Sequence, residues 1–286
     1  MTRTVAVGVG GSGAWAALTW AAEEADSPGG RVVIVHVCPP DSPLARISRD
    51  PALALVELCD PPLARAVGTV RGRLGSDRVE LRIRAGDPAA ALIEASAGVD
   101  MLVVGAGASG RIASRVARRS YGPVVIVRGA APAPGGLFTG HVVVGVDDSG
   151  AGRAACEFAF GYADERGQPL AAVHVSGRSD DDYFYDETTL STHFTVEPAA
   201  LELLAAAVEP WSMKYPRVRL RRAVLHGAVT DRLVRAAAGA LLLVVGDKRR
   251  GPMSRSRTGD VPRAVLRRAS CSTAVVPMDG RSGDPL

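Results

Sequence analysis

The sequence predicts an α/β protein with two consecutive domains, each built on a parallel sheet of five strands. Short apolar runs alternate with helical patterns along the chain, which is typical of parallel strands joined by right-handed crossovers. Residues 86–105 and 227–246 are identical at nine of twenty positions, at a constant offset of 141 residues, which indicates a duplication. Aromatic residues make up only 5% of the chain, so the cores must be aliphatic, as in sheets covered by helices on both faces.

Length and composition set the broad class. The 286 residues suffice for two domains, and 47% hydrophobic with 22% charged residues is typical of a globular protein. A net charge of +4 is compatible with an anionic ligand but too small to require nucleic acid, which is not an expected partner. No apolar run approaches the roughly 20 residues that span a membrane, and the chain begins with a strand pattern rather than a signal sequence. We therefore expect a cytoplasmic protein without a membrane partner.

Apolar runs predict the elements of the first domain, residues 1–130. Its strands are expected at 4–9, 31–37, 78–84, the end of the repeated stretch at residue 105, and 123–127. The run at 78–84 alternates between apolar and polar residues, which predicts an edge strand. Residues 38–62 contain six prolines and are expected to form a loop before a helix at 63–74.

A second domain, residues 138–280, follows a Pro- and Gly-rich linker at 131–137 and precedes a tail at 281–286. Its strands are expected at 141–146, 169–175, 217–225, 241–245 and 273–277. A polar insert at 176–196 carries an aromatic cluster and a run of three consecutive aspartates: Tyr183, Phe184, Tyr185, Phe194, Asp180, Asp181 and Asp182. Such an aromatic cluster favours a lid or a protein contact over a substrate site. The aspartates are expected to be solvated.

Strands 1 and 4 of each domain end in small residues directly before a helix. In doubly wound sheets, ligands bind at the carboxyl ends of the strands where strand order reverses. Backbone amides and the positive end of a helix can hold phosphate there. The sequence therefore predicts nucleotide binding at these turns.

The order VxVGVDxS, HV, LLVVG, glycine loop, helix and short closing strand resembles the universal stress proteins, here as a tandem member. The resemblance implies the adenine nucleotide alpha hydrolase-like fold. It also implies ATP binding through an Asp after strand 1 and a loop G-x2-G-x9-G-(S/T) after strand 4. The closing strands, Val124–Val127 and Ala274–Pro277, are implied to pair antiparallel, which would make the chain an internal pseudo-dimer and leaves a further homodimer open.

In the second domain the resemblance assigns a partly retained nucleotide site to seven residues: Asp147, Val175, Gly246, Arg249, Gly259, Asp260 and Val261. Asp147 stands at the family Asp, and Gly259 follows Gly246 at the family spacing. Arg249 replaces the second glycine, and Asp260 replaces the closing Ser or Thr. The Asp260 carboxylate either repels phosphate or, as a helix N-cap, fills the anion site itself.

Basic residues crowd the loop of this site: Lys248, Arg249, Arg250, Arg255 and Arg257. Guanidinium groups can replace glycine amides as a phosphate cradle. A solvated basic loop without a ligand explains the same residues. Both interpretations stay open at this point.

The first domain departs further from the family pattern. Gly10 occupies the position of the Asp, and Gly110 follows Gly105 after only five residues, so about eight residues of phosphate loop are missing. We therefore expect a degenerate site that does not bind ATP in the family manner.

Gly8, Gly10 and Gly13 also match the G-x-G-x-x-G pattern of dinucleotide-binding proteins. In such proteins an acidic residue at the end of strand 2 holds the ribose. Here strand 2 ends at residues 36–38 without an acid. This difference speaks against a Rossmann-type enzyme that binds NAD or NADP.

No catalytic or metal-binding arrangement can be placed in the sequence. His36 and His174 hold equivalent strand ends and are interpreted as structural. The four cysteines are widely spaced and are interpreted as buried hydrophobic residues: Cys38, Cys59, Cys156 and Cys271. We therefore expect no catalytic residues and no metal.

Three functions remain as hypotheses. The first is a non-enzymatic stress-response or regulatory protein that binds ATP or another adenine nucleotide in the second domain only. The second is a scaffold or interaction protein that has lost nucleotide binding. The third is the enzyme that binds NAD or NADP.

Overall fold

The computed structural model describes the chain at residues 3–10, 14–46, 51–107, 110–129, 135–176, 184–186, 198–248 and 260–278. The chain divides into two compact units, Met1–Gly129 (unit 1) and Ala130–Leu286 (unit 2). In each unit, helices alternate with strands that are mainly parallel. The predicted α/β class is therefore confirmed.

Unit 1 contains five parallel strands within the described ranges: β1 (Thr4–Val9), β2 (Arg31–Cys38), β3 (Val79–Ala85), β4 (Met101–Gly105) and β5 (Val124–Val127). Their order across the sheet is β3-β2-β1-β4-β5. Because β1 pairs with both β2 and β4, strand order reverses beside β1. β3 lies outside β2, which confirms the edge strand predicted from its alternating pattern.

Helices connect the strands of unit 1: α1 (Ala14–Glu24), α2 (Leu53–Cys59), α3 (Pro61–Leu74), α4 (Pro88–Ala95) and α5 (Arg111–Arg119). The loop predicted at 38–62 is wrong in part, because it contains α2 and the start of α3. Proline is compatible with the first turn of a helix, where the missing N–H has no partner to lose. Asp60 caps α3, its Oδ1 accepting from the Leu63 amide at 3.0 Å.

Unit 2 contains β6 (Val142–Val146), β7 (Leu170–Ser176), β8 (Phe184–Asp186), β9 (Leu220–His226), β10 (Leu242–Asp247) and β11 (Thr273–Pro277). The order β11-β10-β6-β7-β9 is parallel and repeats the order of unit 1, and β8 adds an antiparallel strand next to β9. β8 lies in the insert at 176–196, where the sequence predicted no strand. An antiparallel strand of this kind covers an otherwise open sheet edge.

Helices of unit 2 lie between these strands: α6 (Gly150–Arg166), α7 (Pro198–Lys214), α8 (Val229–Ala236) and α9 (Val261–Arg268). α6 packs against β6 and β10, the two strands at the reversal of strand order. Its first turn therefore faces the carboxyl ends of the central strands.

The two copies of the duplicated stretch fold alike, since each forms a turn, a helix (α4 or α8) and a strand (β4 or β10). Their opening glycines, Gly86 and Gly227, have φ angles of 110° and 121°, which L-residues rarely adopt. In each unit a Cβ added to a glycine of the first strand would meet the leucine of the repeated helix, at 2.9 Å for Gly8 and Leu92 and at 3.2 Å for Gly145 and Leu233. These equivalent turns and contacts support the duplication inferred from the sequence.

Aliphatic side chains form the cores. Every residue of β5 and of β11 is buried, which is typical of strands covered on two faces. Among the described residues, Phe138 and Phe160 are the largest fully buried side chains, and both belong to unit 2.

Candidate functional site

In unit 2, the carboxyl ends of β6 and β10 lie side by side. The two strands are parallel neighbours with Val144 opposite Val244. Asp147 directly follows β6, and Gly246 is near the end of β10. The structure therefore brings these two predicted residues together, at the reversal of strand order where ligands bind in such sheets.

The Asp147 carboxylate is held by two residues. Its Oδ1 accepts hydrogen bonds from the Ser149 amide (3.0 Å) and the Ser149 hydroxyl (2.5 Å). Its Oδ2 lies 2.9 Å from the ammonium nitrogen of Lys248. Burial alone would raise the pKa of Asp147, but the bonds from Ser149 and the ion pair with Lys248 outweigh it and hold the pKa below the ordinary 3.8. The carboxylate is therefore ionised at neutral pH.

In the sequence, Lys248 is only one of five basic residues in the loop after β10. The structure places it beside Asp147, because both residues directly follow the ends of adjacent parallel strands. The available signal was its position two residues after Gly246. The side chains of Lys248 and Asp147 are 41% and 42% exposed, so a ligand from solvent can reach both.

Two glycines allow α6 to approach the strand ends closely. A Cβ on Gly246 would lie 2.5 Å from the carbonyl carbon of Ala151, and a Cβ on Gly152 would lie 2.7 Å from the carbonyl oxygen of Asp147. Ser149 caps α6, its Oγ accepting from the Gly152 amide at 3.1 Å. Close packing is thus a sufficient reason for glycine at position 246, apart from any ligand.

Asp260 and Val261 lie at the start of α9. Asp260 Oδ1 accepts a hydrogen bond from the Arg263 amide at 3.2 Å. This confirms the N-cap role that the sequence left as one of two interpretations. The capping carboxylate places negative charge at the end of α9 that would otherwise attract an anion. Val261 is the first residue of α9 and is half-buried.

Val175 lies at the carboxyl end of β7 and is half-buried. Its neighbour His174 has Nδ1 2.9 Å from the carbonyl oxygen of Val146. In unit 1, His36 makes the equivalent bond to the backbone of Val9. Each histidine thus ties the second strand of its unit to the end of the first, which supports the structural role predicted for both.

Several predicted residues lie outside the described part of the chain. They are Arg249 and Gly259 of the site, Arg250, Arg255 and Arg257 of the basic loop, Gly13 of the dinucleotide pattern, and the insert at 177–197 apart from 184–186. Their roles stay predictions. Within the described ranges, no three His, Cys, Asp or Glu side chains are grouped to hold a metal. No helix there combines the length and apolar character needed to cross a bilayer.

The cysteines behave as predicted with one exception. Cys38, Cys156 and Cys271 are buried, but Cys59 is exposed. It ends α2, a short helix in which only Val56 is buried, so the end of this helix faces solvent. Burial, assisted by the charge of Asp147, raises the pKa of the Cys156 thiol to about 12, which keeps it protonated and unreactive.

The corresponding end of the sheet in unit 1 is open. A cleft of about 700 Å³ lies at the carboxyl ends of β1, β2 and β4. It is lined by Gly10, at the sequence position equivalent to Asp147, and by Gly107, at the position equivalent to Lys248. α5 begins at Arg111, so only a short connection follows β4, as the missing loop residues predict.

A duplicated, doubly wound unit with a glycine turn at its strand ends defines an α/β protein of two similar domains, of which the second carries a paired carboxylate. More narrowly, the chain belongs to the universal stress protein family. The sequence model of that family matches residues 1–128 and again residues 139–277. The resemblance found in the sequence, and the tandem organisation, are thereby confirmed.

Relatives and solved structures agree with this assignment. A universal stress protein of Mycolicibacterium smegmatis is 30% identical over 281 residues, which cover 91% of this chain and 92% of that protein. One of Mycobacterium tuberculosis is 26% identical over 284 residues, 96% of each chain. The crystal structure of a universal stress protein from Archaeoglobus fulgidus matches with a TM-score of 0.64 at 15% identity, covering 96% of each chain, which supports the fold.

Proposed function

We propose that this chain is a non-enzymatic regulatory protein that binds ATP or another adenine nucleotide in unit 2 only. The observation that carries the proposal is the ion pair of Asp147 and Lys248 at the reversal of strand order. A carboxylate can accept from ribose hydroxyls or a base amine, and an ammonium can neutralise phosphate. The two groups that an adenine nucleotide requires therefore lie 2.9 Å apart at one edge of the sheet.

Without a nucleotide, Asp147 and Lys248 neutralise each other. A partly exposed ion pair of this kind contributes at most about 1 kcal/mol, so a ligand can open it at little cost. On binding, the ribose or base would donate to Asp147, and the Lys248 ammonium would turn to the phosphates. The capping carboxylate of Asp260 disfavours phosphate at the start of α9, so this helix end would not help to neutralise the ligand. Arg249 would supply the second positive charge instead.

The resemblance to the family suggests roles in nucleotide binding for three further residues. Val175 would contact the adenine ring at the end of β7. Gly246 and Gly259 would leave room for the phosphates between them. At Gly246 the backbone of Ala151 fills the space of the missing side chain, so any contact with phosphate would come from the Gly246 backbone.

Calorimetric and thermal-shift titrations of the full chain with ATP, AMP and adenosine test the proposal. A hydrogen bond to a charged group is worth about 1.5–3 kcal/mol. Asp147→Ala should therefore weaken all three ligands by roughly ten- to a hundredfold. Lys248→Ala should weaken ATP strongly and leave adenosine within about twofold of the wild type, because adenosine has no phosphate to pair with the ammonium.

Lys214→Ala is the matched control. The chain contains only two lysines, and Lys214 forms its own exposed ion pair with Glu157 at 3.3 Å in the same unit. This variant should bind all three ligands as the wild type does. If Lys214→Ala weakens ATP as much as Lys248→Ala, net charge rather than the site explains the effect, and the proposal is wrong.

A scaffold that binds no nucleotide is the second candidate function. The same site favours it in one respect, because Ser149 and Lys248 already satisfy the Asp147 carboxylate within the protein. The absence of both heat and thermal shift with ATP, AMP and adenosine at millimolar concentration would establish this alternative. Membership of the universal stress protein family argues against an enzyme that binds NAD or NADP. Antiparallel pairing of the closing strands and a homodimer stay predictions.

A further inference from the structure

A small groove lies between β3 and α4 of unit 1. Among the described residues, it shares only Val35 with the cleft at the strand ends. Its floor and sides are apolar or small, with the buried Val35 from β2, Ala91 and Ala95 from α4, and Gly98 after that helix. The volume of about 260 Å³ lies below the roughly 300–1000 Å³ that is typical of drug-sized ligands, so the groove suits a smaller molecule.

Three charged side chains form the rim of this groove. Arg82 and Arg84 are two residues apart in β3, so both point to the same face of the sheet. Glu94 lines the groove from α4. The opening therefore presents both signs of charge above an apolar floor.

The two arginines differ in how firmly they are held. Arg82 Nε and Nη2 lie 2.8 and 2.9 Å from the two carboxylate oxygens of Glu80, which is a bidentate pair. Arg84 Nη2 lies 3.6 Å from Glu94 Oε1, too far for a hydrogen bond, and these two side chains are 51% and 73% exposed. An exposed pair without a hydrogen bond stabilises the protein little, so a ligand can separate Arg84 from Glu94.

The charges of the groove are balanced but separated. Two arginines and the carboxylates of Glu80 and Glu94 sum to zero, so a ligand without net charge fits best. Arg82 has five N–H donors, of which the pair with Glu80 uses two, so both arginines can donate to one carboxylate. Glu94 lies in the last turn of α4, where the partial negative charge of the helix end also favours a cation.

Unit 2 lacks this combination of charges. The constant offset of the duplication relates the three rim residues to three residues of unit 2: Ala223, Leu225 and Arg235. The strand registers agree, since Arg82 lies opposite Val35 and Ala223 lies opposite Val173. Neither arginine of β3 has a charged counterpart in β9, so the groove in unit 1 is expected to give one site per chain.

We propose that the groove between β3 and α4 binds a free α-amino acid with an aliphatic side chain. The ligand carboxylate pairs with Arg84 and Arg82, and its ammonium group pairs with Glu94. Its side chain packs on Val35 and Ala91. This proposal is independent of the proposed nucleotide site in unit 2, because the two sites share no residue.

Three small probes with one carbon skeleton test the proposal by calorimetric titration of the full chain. L-leucine carries both charges, 4-methylpentanoate lacks the ammonium group, and 3-methylbutylamine lacks the carboxylate. We expect L-leucine to bind one site per chain at least about tenfold more tightly than either analogue, because each analogue leaves one charged wall without its counter-charge. Equal or tighter binding of either analogue, or no heat with L-leucine at millimolar concentration, would overturn the proposal.

Two variants at exposed positions separate the charges of the rim. Glu94→Gln should weaken L-leucine at least about tenfold without weakening 4-methylpentanoate, since only L-leucine brings an ammonium group. Arg84→Gln should weaken both. Glu57→Gln is the matched control, because Glu57 is an exposed glutamate of α2 outside the groove. If Glu57→Gln weakens L-leucine as much as Glu94→Gln, net charge explains the effect and the proposal is wrong.

A groove-filling variant locates the probe. Ala91→Phe places a ring in the groove and should weaken L-leucine at least about tenfold, whereas Ala90→Phe, at the exposed neighbouring position outside the groove, should not. Equal affinity of these two variants would show that L-leucine binds elsewhere, which overturns the proposal. Asp147→Ala should leave L-leucine binding unchanged, and its loss would place the ligand at the ion pair of unit 2 instead. If Ala91→Phe fails to fold, Glu94→Gln and Arg84→Gln decide.

Discussion

Replacing Gly246 by alanine should lower the free energy of unfolding by about 1–3 kcal/mol, the usual range for overpacking. The added Cβ would lie 2.5 Å from the carbonyl carbon of Ala151, in the first turn of α6. The contacting atoms belong to backbone, so no side chain can rotate away. β10 and α6 would therefore have to separate by roughly 1 Å, in an interior packed as densely as an organic crystal.

Gly161→Ala is the matched control, because Gly161 lies in the same helix, α6. A Cβ there would meet the Tyr215 hydroxyl at 3.4 Å, which is ordinary van der Waals contact. Alanine is favoured over glycine inside a helix by about 0.5–1 kcal/mol. The same chemical change should thus stabilise the protein at position 161 and destabilise it at position 246.

The free energy of unfolding of both variants is measured by urea denaturation, monitored by circular dichroism in the absence of any ligand. The fluorescence of Trp211 in α7, recorded in a Trp15→Phe, Trp20→Phe background, isolates the signal of unit 2. The slope of unfolding free energy against urea should not change, since the surface exposed on unfolding is the same. If Gly246→Ala matches the wild type in stability, close packing does not require this glycine, and the reasoning above is wrong.

Three further predictions follow from single contacts. Ser149→Ala should lower the free energy of unfolding by about 1 kcal/mol, because the hydroxyl caps α6. Ser149→Thr should retain most of the wild-type stability in urea titrations, and equal stability of the wild type and both variants would contradict the cap. Burial lowers the pKa of His36 below 6.5, so only the unfolded chain takes up this proton as pH falls through 6.5. Stability should therefore decrease below that pH in the wild type and less so in His36→Gln, and parallel pH profiles would refute this. Cys59 should be the one thiol that reacts rapidly with a disulfide reagent in the native protein, and Cys59→Ser should abolish that phase; a second fast thiol would show that a cysteine placed in the core is accessible.

Local chemistry made the fold predictable from sequence. Apolar runs bounded by glycine and proline located the parallel strands, since each run must be buried on both faces. Helix capping acts over three residues, so Asp260 could be identified as an N-cap candidate without a structure. The loop predicted at 38–62 is wrong in part, because proline both breaks helices and fits their first turn, as it does at the start of α3.

The candidate site was predictable only as a set of strand ends. Sequence placed Asp147 and Gly246 at the ends of two strands, and the rule for doubly wound sheets brought them to one edge. The partner of Asp147 depended on tertiary structure. Lys248 was indistinguishable from its arginine neighbours until the register of β6 against β10 set it beside the carboxylate.

The sequence by itself determined that this protein is a duplicated α/β chain whose two units have diverged at the same turn, because repeats and periodicities are properties of consecutive residues. From the sequence alone, Gly10 shows only that unit 1 lacks the carboxylate. Tertiary structure decided what that loss produces, because the shape of a cleft depends on side chains that several distant segments do or do not place there. The same two positions that form an ion pair in unit 2 are glycines lining an open cleft in unit 1.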